Sequence, residues 1–125
     1  MKKITLLLTM AAIIISSCSK FETEDLVGTY WTGSMTSTAI QSGEKTDLSF
    51  EFKEGKADFT YLPYGDQHPE TGVMLYTLSE GVLTLTKANE VLNGAWNIIY
   101  RKGGHMTLEK SSQDDILTIN IQKRR

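Results

Sequence analysis

Asp66, His68 and Glu70, at alternate positions in Asp66-Gln67-His68-Pro69-Glu70, are the one group of metal-ligand side chains that this chain sets close together. A loop folded around a cation would let two carboxylates and an imidazole meet on it. Zinc sites hold three or four ligands in fixed geometry, and Pro69 interrupts this stretch. The spacing therefore reads as a solvated polar loop, and no metal is expected. His68 and His105 are the only imidazoles. A serine or threonine nucleophile needs a base and a third group to orient it, and only these two histidines could supply that base. His105 follows Gly103-Gly104, which places it at the surface end of a hairpin. Asp114-Asp115 reads as a turn, and carboxylate pairs for glycoside hydrolysis are defined by distance in space, not by spacing in sequence. The chain has no Gly-x-Ser-x-Gly elbow, phosphate loop, dinucleotide motif or His-Glu-x-x-His helix. The expectation is a protein without enzymatic activity and without a cofactor.

Cys18 is the only thiol. It follows Ile15-Ser16-Ser17 at the end of an apolar run, residues 4–15, that opens after Lys2-Lys3. Roughly 20 apolar residues are needed to span a bilayer as a helix, and this run is much shorter, with the flanks of a cleaved signal. The arrangement resembles a bacterial lipoprotein signal peptide with its lipobox. The resemblance implies that a diacylglycerol is added to the Cys18 thiol, that cleavage follows Ser17, and that the new amine is acylated. Two or more acyl chains make such an anchor stable, each buried CH₂ adding about 0.8 kcal/mol. Ser19 after the cysteine is compatible with sorting to the outer membrane. Glu22, Glu24 and Asp25 resemble the acidic surface-export signal of some bacterial groups, interrupted by Lys20 and Phe21; the alternative is a polar tether. The expected location is the cell envelope, on the outer membrane through the lipid on Cys18, at its periplasmic face or at the cell surface.

Three segments follow: a signal peptide over 1–17, the lipidated cysteine and a polar tether over 18–25, and one folded domain over 26–125. The 108 residues from Cys18 to Arg125 are enough for one core. With a single cysteine, that core stands without a disulfide. The full chain has 13 basic and 15 acidic side chains, and losing Lys2 and Lys3 takes the formal charge to −4. A mildly acidic domain lacks the basic footprint that nucleic acid requires, so no nucleic-acid partner is expected. Lys123-Arg124-Arg125 reads as a solvated tail.

Period-two alternation dominates the rest of the chain. Trp31 and Met35 share a face across Gly33. Leu48, Phe50 and Phe52 alternate with polar residues, Glu54-Gly55 turns the chain, and Ala57, Phe59 and Tyr61 alternate in their turn. This is the clearest hairpin. After a loop over 63–71 come Met74-Leu75-Tyr76-Thr77-Leu78, a turn at Ser79-Glu80-Gly81, and Leu83 with Leu85. Residues 88–94 are irregular, with room for a short helical turn. Trp96, Ile98 and Tyr100 then alternate, Lys102-Gly103-Gly104 turns, and the sets Met106/Leu108 and Leu117/Ile119/Ile121 complete the pattern. Eight strand candidates with short connections predict an all-β, antiparallel up-and-down meander. Alternation leaves one dry face, which is best buried by curling the sheet into a small closed or slightly open barrel. A two-sheet sandwich is the alternative.

Leu26-Val27-Gly28-Thr29-Tyr30-Trp31, Phe50-Glu51-Phe52-Lys53-Glu54-Gly55, the strand pair around Ser79-Glu80-Gly81, Trp96-Asn97-Ile98-Ile99-Tyr100 and the closing Leu117-Thr118-Ile119-Asn120-Ile121 follow one another in an order similar to the lipocalin-like domains of small bacterial lipoproteins. The lipocalin opening is Gly-x-Trp, whereas Gly28 and Trp31 have two residues between them. The resemblance spans about residues 26–122 and implies a barrel that binds a small apolar ligand.

The alternation points Trp31, Phe50, Phe52, Phe59, Tyr61, Tyr76, Trp96 and Tyr100 inward. An eight-stranded barrel either fills with side chains or holds one small ligand, and this many rings favour filling. A shallow mouth is still open to a ligand, with Trp31, Tyr61, Tyr64, Tyr76, Trp96 and Tyr100 as the candidate binding residues; Tyr61 and Tyr64 lie beside the 63–71 loop. Two functions follow. One is the binding of a small apolar or amphipathic molecule at the mouth. The other is a protein–protein interaction module of an envelope complex, with a filled barrel and Leu62, Leu75 and Ile99 as outward apolar contacts.

Overall fold

The structure is a computed structural model that describes residues 21–39 and 43–125. The signal segment and Cys18 lie outside the described residues. Eight strands follow a single helical turn, α1 (Thr23–Leu26): β1 (Tyr30–Ser37), β2 (Thr46–Phe52), β3 (Lys56–Leu62), β4 (Glu70–Ser79), β5 (Val82–Thr86), β6 (Gly94–Lys102), β7 (His105–Ser112) and β8 (Asp115–Lys123). Each pairs antiparallel with the next and β1 closes on β8, so the sheet is a closed up-and-down barrel. Closure leaves no sheet edge unpaired.

The alternating apolar residues face inward. Phe50, Phe52, Leu83, Leu85, Trp96, Met106, Leu108 and Ile119 are fully buried in one core. Gly33 permits the closing seam. A Cβ there would lie 1.9 Å from the Asn120 carbonyl oxygen, so any side chain would push β1 off β8.

The two ends differ. At the tight end, Glu80-Gly81 and Gly103-Gly104 form two-residue connections with positive φ at both positions, as the type I′ turn requires. Residues 53–55 make a three-residue turn with Gly55 at φ 77°. α1 lies across this end. Its capping box is reciprocal, with the Glu22 amide donating to Asp25 Oδ2 at 2.9 Å, and Leu26 is wholly buried. The loop end carries the longer connections 63–69 and 87–93 and the start of the β1–β2 connection, beside a two-residue turn at Gln113-Asp114.

Four details correct the sequence reading. The loop after β3 is shorter than 63–71, because Glu70 and Thr71 already pair with Tyr61 and Thr60. The segment read as a polar tether returns to the barrel at Phe21, which packs against the core. Lys123-Arg124-Arg125 is not a solvated tail: Lys123 ends β8, and Arg124 and Arg125 extend the ladder by backbone hydrogen bonds to Tyr30. Tyr100 does not point inward. A bulge shifts the β6–β7 register between Ile98 and Tyr100; the extra residue reverses the alternation, leaving Ile99 54% and Tyr100 50% exposed.

Candidate functional site

The candidate ligand-binding residues separate into three groups. Trp31, Tyr76 and Trp96 are buried in the core, and each spends its polar atom on the protein itself. Trp31 Nε1 donates to Thr29 Oγ1 at 2.8 Å, and Thr29 in turn donates to the Leu26 carbonyl. Trp96 Nε1 donates to the Leu92 carbonyl at 2.7 Å. The Tyr76 hydroxyl donates to the Lys53 carbonyl at 2.6 Å; burial, reinforced by Glu54, holds its pKa above the ordinary tyrosine value. These bonds satisfy groups that would be costly to bury alone, and they fasten α1, the 53–55 turn and the 87–93 loop onto the core.

Tyr61 and Tyr64 belong to the rim of the loop end. Tyr61 is half-buried, and burial raises its pKa against the opposing hydrogen bond with Thr46. Tyr64 is 69% exposed. Tyr100 stands apart from both groups, on the outer wall near the tight end, with its ring edge-on to His105 at 5.7 Å between centroids. The structure therefore does not gather the six residues into one site. His105, expected at the surface end of a hairpin, is the first residue of β7 and is partly covered.

Asp66 and His68 are exposed in the 63–69 loop, while Glu70 accepts a hydrogen bond from Asn89 Nδ2 at 3.1 Å. Among the described residues no group of three or more His, Cys, Asp and Glu side chains is placed to hold a metal ion.

Two polar clasps at the loop end were not anticipated. Lys110 reaches from β7 to the 87–93 loop, where its ammonium donates to the carbonyls of Val91 and Asn93, the latter at 2.7 Å, and sits 4.8 Å from the Trp96 ring centroid. Burial lowers its pKa from the ordinary lysine value. The loop is internally braced as well: the Leu92 amide donates to Asn89 Oδ1 and the Asn93 amide to the Asn89 carbonyl, a one-turn helical bend that directs the wholly buried Leu92 into the core. Asp115 is the second clasp and not the turn residue it resembled. It opens β8 and accepts hydrogen bonds from Ser37 Oγ at 2.6 Å, Thr38 Oγ1 at 2.8 Å and the Ala39 amide at 3.1 Å. The Ser37 bond, then that of Thr38, holds its pKa below the usual aspartate value.

Two open grooves lie on the outer wall among the described residues. One, of about 430 Å³, runs over β2, β3 and β4, between Tyr30, Phe59, Gly72 and Val73, with Glu51 and Asp58 on its margin. Those two carboxylates are directly opposite across β2 and β3, an arrangement that repels. Arg125 covers Glu51 and Lys53 covers Asp58 at 2.7 Å. The other groove, of about 260 Å³, lies beside the β6 bulge between Phe21, Gly81 and residues 98–101. The apolar side chains most exposed on the strands are Val73 and Leu75 on β4, Ile99 and Tyr100 on β6, and Ile116 on β8. No family model matches the chain, and neither a curated protein nor a solved structure matches it.

Proposed function

We propose that this chain is a non-enzymatic, lipid-anchored lipoprotein of the cell envelope, held on the outer membrane through Cys18, and that it acts as an interaction module through the outside of a filled barrel. One observation carries the choice of outside over inside. Trp31, Tyr76 and Trp96, the rings that a ligand inside the barrel would meet, are packed in the core with their polar atoms bonded to the protein. Leu26 and Leu92 are buried against the same core from opposite ends. Val73 and Leu75, exposed on β4, supply contact area on the outer wall instead. Envelope proteins are the partners this reading implies.

A second reading is the binding of a small amphipathic molecule at the mouth. It is favoured by the half-buried Tyr61 and exposed Tyr64, which leave two phenol rings beside the 63–69 loop.

Two measurements test these readings. Cys18→Ala should release the protein from the membrane fraction of its host; continued detergent-reversible pelleting would remove the lipid anchor. Native mass spectrometry of the full chain, extracted gently from its host, should show no small-molecule adduct, and crosslinking on intact cells should join the barrel wall to a protein. A stoichiometric adduct lost on denaturation would favour the mouth over the wall.

A further inference from the structure

We infer that the tight end of the barrel docks on the anionic phospholipid surface of the membrane in which its own lipid sits, through the β6–β7 hairpin and the end of β8. This rests on the Cys18 anchor proposed above. Chain length sets the distance. Two residues, Ser19 and Lys20, separate Cys18 from Phe21, and at about 3.3–3.6 Å per residue the three steps reach no more than roughly 11 Å. Phe21 is fixed: it packs against the core beside Ile98 and Ile99, and the Arg101 guanidinium lies 4.1 Å from its ring centroid. Lipid on Cys18 therefore brings this side of the barrel down to the headgroups, whatever the remainder of the domain contacts.

The surface brought down has the chemistry of an interfacial contact. The bulge turns Ile99 and Tyr100 outward at 54% and 50% exposure, and an aromatic beside an aliphatic suits the headgroup boundary. Cations surround them. Arg101 and Lys102 close β6, and Lys123 and Arg124 lie next to them, since His105 pairs with Gln122 and the Lys123 amide donates to the Gly104 carbonyl. Neither residues 100–106 nor residues 121–125 include an acidic side chain. The acids of the same end are on α1, which follows Phe21, and on the turns at Glu54 and Glu80, the last beside Gly81 at the edge of the same groove. The seat is the acid-free stretch itself, the β6–β7 hairpin and the end of β8, set against anionic lipid. Juxtamembrane cations are attracted to such a surface within a screening length.

The test uses the lipidated full chain in floated vesicles. Lipid blocks Cys18, so an introduced cysteine is the single free thiol. Gln122→Cys marks the tight end and Gln67→Cys the 63–69 loop; both positions are exposed. Each carries an environment-sensitive fluorophore, and the vesicles contain phosphatidylglycerol and a lipid-borne quencher. Quenching at 122 should exceed that at 67 several-fold. It should fall when Lys102→Glu and Lys123→Glu are added or when phosphatidylcholine replaces the anionic lipid, with flotation unchanged in both cases. Equal quenching at the two positions in protein that floats overturns the docking alone. Protein that fails to float overturns the anchor, and the docking with it.

Discussion

At the tight end of the barrel, neighbouring strands are joined by two or three residues, and the closing element, α1, precedes β1 directly. At the loop end, the same core is covered by a longer segment, 87–93, held by a lysine from β7, and the start of the β1–β2 loop is held by an aspartate that opens β8. One end is closed by local geometry, the other by side chains that reach across the sequence. The difference teaches where rigidity comes from in a small disulfide-free barrel. Glycine turns hold an end shut through backbone conformation alone, whereas longer loops need buried or clasped polar groups to do so. It also leaves the loop end as the side with replaceable chemistry.

Four experiments test this contrast. Phe50→Ala, at the waist, should cost about 3–5 kcal/mol, as buried phenylalanine truncations do. It should lower both ends together in a denaturant melt; unchanged melting would mean that Phe50 faces water. Leu26→Ala should cost about 2–5 kcal/mol and expose the Trp31 indole, seen as a red shift and quenching of tryptophan emission. Lys110→Met should cost about 0.5–1.5 kcal/mol, the net worth of a hydrogen bond, because the Val91 carbonyl is only partly buried and that of Asn93 is exposed. Its effect should stay local, with faster amide exchange over 88–93 and little change at the tight-end turns; exchange rising equally at both ends would erase the distinction drawn here. The smallest effect should come from acid. The folded pKa of Asp115 is depressed, so its contribution is complete above the unfolded value of about 3.9 and is lost as pH falls through the folded value. Below about pH 4 the Ala39 amide should exchange faster in the native protein, and Asp115→Asn should remove that pH dependence.

Much of the barrel was legible because strand burial repeats every second residue. Leu48, Phe50 and Phe52 announce β2 without help from the remainder of the chain, and the glycine-containing turns announce the hairpins. Tyr100 escaped because a bulge adds one residue to the count. The adjacent pair Ile98-Ile99, which breaks the alternation, was the available signal. Leu26 and Leu92 were not legible as end closures, since a lone apolar residue in an irregular segment has no period to place it. Lys110 and Asp115 look like ordinary surface charges. Their partners lie 17–19 and 76–78 residues away, so only the closed fold brings them together. The scatter of the six candidate binding residues has the same origin: each was placed on a face by its own strand, but whether faces converge depends on both ends of the barrel at once.

The seam at Gly33 has a consequence for how the molecule comes to exist. Every other pairing joins strands adjacent in sequence, whereas this one brings Trp31 opposite Lys123. Bringing ends so far apart together has an entropic cost that the hairpins avoid. The ring can close only once the last strand is available, and a sheet formed without β8 would have two bare edges, β1 and β7. Those edges are templates for pairing with other chains. A nascent or clipped molecule lacking β8 is thus the form that would aggregate, and a chaperone would serve it by shielding the edge of β1 until its partner arrives.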